Sequence, residues 1–167
     1  MRRLTWTSAL AIGGAGFAVT GSADMKTATF GVSATVTKSC DVSGTALGFG
    51  AVNVLTGANV DATATLTATC TSGSAFTIGL SAGTSPGATT ASRMMTQSAD
   101  NTKRLSYTLS AVAPGGANWG GAGEPGIASS TGSGSGQPIT VYGRIPAGQT
   151  ATSMGLYSDT IIATIDF

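Results

Sequence analysis

Between residues 62 and 70 the chain reads ATATLTATC, with an apolar or small side chain at every even position and a threonine at every odd one. Strict alternation marks a β-strand with one buried face, because successive side chains leave the backbone on opposite sides. The same period recurs along the chain. Ala28, Phe30, Val32, Ala34 and Val36 alternate with Thr29, Gly31, Ser33, Thr35 and Thr37, and Phe76, Ile78 and Leu80 with Thr77 and Gly79. Leu105, Tyr107 and Leu109 repeat it, as do Ile139, Val141 and Tyr142. Leu47, Phe49, Ala51 and Val52, around Gly48 and Gly50, suggest a further strand. No stretch carries a 3.6-residue apolar face of helical length. About seven short strands separated by Gly, Ser and Pro turns predict an all-β chain, and more narrowly a β-sandwich.

The final segment has the same period and a special position. Ile161, Ala163, Ile165 and Phe167 fall on one side, Thr160, Thr164 and Asp166 on the other, with Ile162 the one apolar residue on the wet side. A strand that ends with the sequence has no following segment to pair its outer edge. Such an edge is either covered or used for docking.

The first residues read as an export signal. Met1, Arg2 and Arg3 give a basic start, residues 4–19 contain no charge, and Gly21, Ser22 and Ala23 are small. These are the three parts of a secretory signal peptide over residues 1–23, with cleavage expected after Ala23. The run is too short and too interrupted for a comfortable membrane span. Removing residues 1–23 leaves 144 of 167, the size of one domain, and takes the formal charge from +1 to −1 because Arg2 and Arg3 leave. Charge is sparse, at 9% of residues, and forms no basic stripe, which argues against a nucleic-acid or membrane-surface partner. Low charge with abundant Gly and Thr suits a secreted β-protein packed against copies of itself. In an oxidising compartment Cys40 and Cys70 predict one disulfide, closing a loop of about 30 residues and worth roughly 3–4 kcal/mol in the chain-entropy model.

Chemistry has little to stand on. The chain has no His, which removes the usual general base. The carboxylates are dispersed, no serine sits in a nucleophile elbow, and no acidic run has calcium-loop spacing, so no catalytic, metal or cofactor residue is assigned. Gly121, Gly123 and Gly126 match a dinucleotide fingerprint only formally, since Pro125 points to a turn where that motif needs a helix. Residues 82–92 and 114–137 are rich in Gly, Ser and Pro and read as surface loops, the second long enough for a binding loop. Tyr107 and Trp119 admit two readings, a carbohydrate-stacking platform or core; core is favoured for both, by the alternation around Tyr107 and because the loop that carries Trp119 must fold back on the sandwich. Arg93, Met94 and Met95 read as a strand start with one or both Met buried.

Taken in order, the leading alternating segment, Cys40, LGFG at 47–50, Cys70, LSY at 105–107, Trp119, VYGRIPAGQ at 141–149 and the terminal YSDT strand resemble the spore coat protein U domain, which builds subunits of archaic, Csu-type chaperone–usher pili. The resemblance runs from about Thr27 to Phe167. It implies an immunoglobulin-like β-sandwich that is incomplete and is completed by a donor strand from a neighbouring subunit. On that basis residues 24–39 form an N-terminal donor segment, inserting Phe30, Val32, Ala34 and Val36, and residues 40–167 form the sandwich. Ile161, Ala163, Ile165 and Phe167 then border the acceptor groove and bind the chaperone first. The implied partners are a periplasmic chaperone, an outer-membrane usher and copies of the chain or related pilins. The implied role is a non-enzymatic pilus subunit, exported to the periplasm and then the cell surface, serving adhesion and biofilm formation. The rivals are a spore-coat or surface-layer protein and a secreted carbohydrate-binding sandwich. A lectin should keep its first strand in its own sheet, whereas a pilin should lend it away.

Overall fold

The computed structural model describes residues 21–167. The expected signal peptide therefore lies, but for its last three residues, outside the described residues. The chain separates into two units, Met1–Thr35 and Val36–Phe167. Residues 21–39 carry no strand and are exposed throughout, with Phe30 and Val32 at 86% and 85%.

From Cys40 onward the described residues form strands and loops with no helix. The strands are β1 (Cys40–Gly44), β2 (Val60–Cys70), β3 (Ala75–Leu80), β4 (Arg93–Gln97), β5 (Arg104–Ser110), β6 (Ala128–Thr131), β7 (Gly136–Ile145), β8 (Tyr157–Ser158) and β9 (Ala163–Asp166). They build a six-stranded sheet in the order β1-β2-β7-β5-β4-β8 and a three-stranded sheet in the order β6-β3-β9. Every ladder is antiparallel. The threonine-rich alternation becomes β2, whose ladder with β7 runs from Val60 opposite Ile145 to Thr69 opposite Gly136. The two sheets bury Ala68, Phe76, Ile78, Leu80, Leu105, Leu109, Val141 and Ile145 between them.

Several elements differ from the expectation, each for a physical reason. Residues 47–52 form no strand. Leu47 and Phe49 instead lie over Gly143 of β7, where a Cβ would stand 2.9 Å from Leu47 Cδ1 and Phe49 Cζ. Phe49 meets Tyr107 edge-on, ring centroids 6.3 Å apart. On β4 the buried residues are Arg93, at 1% exposure, and Gln97, while both methionines are half-buried. On β7 the buried side is Val141, Gly143 and Ile145, with Tyr142 outward.

The stretch 114–137 is more than a surface loop. It contains β6, which pairs with β3, and it buries Trp119 completely. Trp119 Nε1 donates to Ile78 O (2.7 Å), Trp119 N to Leu109 O (2.7 Å), and Leu80 N to Gly120 O (2.9 Å), so the excursion is fastened to both sheets. Gly79 allows that approach, since a Cβ there would collide with the backbone of Gly121 and Ala122.

The last eleven residues show one alternation across two sheets. Tyr157, Asp159, Ile161, Ala163 and Ile165 are half-buried, while Ser158, Thr160, Ile162, Thr164 and Asp166 are exposed. β8 pairs with β4 in the large sheet and β9 with β3 in the small one. At the crossing, Ser81 N donates to Ile162 O (2.9 Å) and Ile162 N to Ser81 Oγ (2.9 Å). Among the described residues β9 has one neighbour, so its other edge is unpaired.

Candidate functional site

β1 and β9 are end strands of the two sheets, and a cavity of about 670 Å³ opens beside them. Val42, Leu66, Leu109, Val141, Ile161 and Ala163 supply its apolar lining. A second cavity of about 760 Å³ lies between residues 47–55 and 152–157. The two share Leu47, Phe49, Met95 and Tyr157, which makes one continuous groove. Its physical origin is simple. The small sheet stops at β9, so the core side chains of the larger sheet have no fourth strand above them there. Leu47, Phe49, Leu66, Ile161 and Ala163 are left half-buried, where a closed sandwich would bury them.

Of the four residues expected along the acceptor edge, Ile161 and Ala163 line this cavity. Ile165 pairs with Ile78 and packs against the core outside the cavity lining, and Phe167 follows β9 at 48% exposure. Phe30, Val32, Ala34 and Val36 are exposed. Cys40 and Cys70 are disulfide-bonded, their Cα atoms 4.1 Å apart and directly opposite in the β1–β2 register. The bridge fixes one end of β1 to the interior of the large sheet.

Polar groups brace the rim. Asp159 Oδ1 accepts from Thr84 N (2.7 Å), Thr84 Oγ1 (2.9 Å) and Thr160 N (2.8 Å), and Oδ2 accepts from Tyr107 OH (2.6 Å). Burial, followed by the hydrogen bond and charge of Asp159, raises the Tyr107 phenol well above its ordinary value, so it serves as a donor at any physiological pH. Arg93 reaches inward from β4 and donates to four carbonyls: Nε to Ser81 (2.8 Å), Nη1 to Thr90 (2.9 Å), Nη2 to Leu80 (2.8 Å) and to Trp119 (2.7 Å). Burial lowers its pKa, and the nearby Tyr107, Glu124 and Asp159 oppose that shift. One guanidinium thus ties the end of β3, its following loop and the Trp119 excursion together. Nothing in the sequence around Arg93 marks it for this role, because its partners are backbone carbonyls.

The segment 141–149 explains itself residue by residue. Val141 and Ile145 enter the core, and Gly143 receives Leu47 and Phe49. Arg144 forms a two-point pair with Asp61 across the β2–β7 ladder, Nε to Oδ1 at 2.6 Å and Nη2 to Oδ2 at 2.8 Å. Pro146 then ends the strand, since it has no N–H for the ladder. Gln149 takes over: its Oε1 accepts from Ser106 N (2.7 Å), and its Nε2 donates to Ser106 O (3.0 Å) and Pro146 O (3.1 Å). A side-chain amide thereby satisfies the next backbone pair of β5.

Among the described residues no group of three or more His, Cys, Asp or Glu side chains is placed to hold a metal ion. The buried Trp119 and Tyr107 rings offer no exposed face for stacking a sugar.

Residues 26–164 match the Spore Coat Protein U domain. The chain belongs to that family. For a spore coat protein U domain the conspicuous parts of this sequence are structural: the cysteines anchor β1, LGF covers β7, and VYGRIPAGQ carries β7 to its capped end. A comparison with curated proteins finds no match. Among solved structures, the chain resembles the CsuC–CsuE chaperone–tip adhesion subunit pre-assembly complex from archaic chaperone–usher Csu pili of Acinetobacter baumannii. The TM-score is 0.54 at 20% identity, covering 80% of this chain and 40% of that one. The likeness is one of fold, and this chain spans less than half the length of its counterpart.

Proposed function

We propose that this protein is a structural subunit of a surface pilus, assembled by donor-strand exchange through a periplasmic chaperone and an outer-membrane usher. The observation that carries the reading is the groove beside β9, an apolar trough flanked by an unpaired strand edge. Its complement in chemistry is the exposed alternating segment with Phe30, Val32, Ala34 and Val36. A strand added to β9 from another copy satisfies the free backbone groups and covers the half-buried core side chains, which is β-strand addition used for assembly. Because donor and acceptor surfaces differ, the contact is head-to-tail and does not close, so it yields a filament. The resemblance to a chaperone–subunit complex supports a chaperone as the first occupant. Export through residues 1–23 and display at the cell surface follow from the same reading, as does a non-enzymatic role in adhesion and biofilm formation.

Burying Phe30, Val32 and Val36 contributes about 1.5–3 kcal/mol each, roughly 5–9 kcal/mol together as an upper bound. An aspartate at position 32 would be buried unpaired at a cost of several kcal/mol. Val32→Asp expressed with the chaperone and usher is therefore expected to give no heat-stable ladders on gels and no fibres by electron microscopy. Ser33→Asp, on the opposite face, leaves both intact. Ladders and fibres from Val32→Asp would refute assembly through this segment. Assembly on the surface without any usher would favour the coat-protein alternative.

A further inference from the structure

The donor segment and the acceptor edge share one numerical pattern that fixes how they meet. On the donor side the apolar residues Phe30, Val32, Ala34 and Val36 are followed at the same parity by Lys38. On the acceptor side the half-buried residues Ile161, Ala163, Ile165 and their neighbour Phe167 are preceded at the same parity by Asp159. We propose, building on the donor-strand reading above, that an incoming copy inserts antiparallel to β9 with Lys38 opposite Asp159. The same register then sets Val36 opposite Ile161, Ala34 opposite Ala163, Val32 opposite Ile165 and Phe30 opposite Phe167.

Four observations support it. Every ladder in the molecule is antiparallel, and an added edge strand continues that pattern. Asp159 lines the cavity, and Oδ2 accepts only from Tyr107, so it retains capacity to accept. Among the described residues Asp159 has no ion-pair partner, although an arriving strand would cover it, and a carboxylate covered without a cation is costly. Finally, Lys38 stands two residues before Cys40, where β1 begins, so the lysine emerges at the mouth of the groove as the next sandwich starts.

Alternative registers fail on the same chemistry. A slip of one residue turns the donor's apolar face to solvent. A slip of two in one sense sets Lys38 opposite Ile161 within the apolar lining; in the other it sets Val36 opposite Asp159. A parallel strand with Lys26 opposite Asp159 aligns Ala28, Phe30, Val32 and Ala34 with the acceptor edge and leaves Val36 beyond Phe167.

Paired cysteines read the register directly. In full-length protein assembled with chaperone and usher, A34C/A163C is expected to give a covalent ladder on oxidation. It should exceed the yields of A34C/I161C, A34C/I165C and F30C/A163C by about tenfold. Dominance of either shifted pair, or of F30C/A163C, overturns the register while leaving donor-strand assembly intact. Absence of any polymer from the unsubstituted protein overturns both. Lys38 is exposed in the subunit, so its replacement spares the fold. Lys38→Glu should speed subunit dissociation from fibres by about threefold to tenfold, the upper range for a partly covered ion pair, and Lys26→Glu should not. Equal dissociation for Lys38→Glu and the unsubstituted protein overturns the ion pair.

Discussion

The two flanks of β3, the middle strand of the small sheet, are completed in opposite ways. On the β6 side the chain covers the core itself: the excursion from β5 tucks Trp119 inward, hydrogen-bonds to Ile78, Leu80 and Leu109, and is held by Arg93. At β9 nothing within Val36–Phe167 does this, and Ile161, Ala163, Leu47 and Phe49 remain half-buried around a groove. The difference lies in whether the covering segment is part of the same domain, so substitutions on the closed side should damage the fold and those on the open side should damage assembly.

The sharpest way to break that distinction is a pair of truncations. Trp119→Ala leaves a cavity and an unpaired Ile78 carbonyl, and should destabilise the subunit by about 3–5 kcal/mol in urea unfolding. Leu47→Ala, at a half-exposed site, should cost about 1–2 kcal/mol there yet weaken polymers more than Trp119→Ala does per unit of lost stability. Equal effects of Leu47→Ala on fold and fibre would erase the contrast. Next in size is the disulfide. Replacing Cys40 and Cys70 together by Ala should cost about 2–5 kcal/mol and lower the yield of exported subunit. Intact mass with and without reductant, measured alongside, should show a chain beginning near Asp24 and one bridge.

The smallest effect is a pH dependence at the base of the groove. Tyr107 ionises less readily when folded, so the unfolded chain releases this proton first as pH rises. Stability from this group is complete below the ordinary tyrosine range, near pH 10, and declines above it. Thermal midpoints of the unsubstituted protein should fall more steeply above that pH than those of Tyr107→Phe. Parallel slopes would show that burial and Asp159 do not hold the Tyr107 proton in the folded state.

Which parts of this could be read from residues alone follows from how local the causes are. The strands of residues 62–70, 76–80 and 105–109 were legible because their alternation is local. Residues 47–52 misled because what holds Leu47 and Phe49 is the missing side chain at Gly143, nearly a hundred positions away. Arg93 reads only as the start of a strand until its carbonyl partners are in view, and the Gly-rich stretch hides the strand β6. Asp159 was visible only as part of YSDT; its bonds to Thr84 and Tyr107 need the sheets closed around it.

The Cys40–Cys70 bridge has a mechanical meaning in a fibre built this way. A tensile pull transmitted from the subunit ahead enters each sandwich through Ser39 and meets, one residue later, a covalent bolt into β2. An end strand loaded at its tip normally peels, one hydrogen bond at a time. Here the bolt passes the force directly to the β2–β7 ladder, from Val60 opposite Ile145 to Thr69 opposite Gly136, which resists it along its full length in shear.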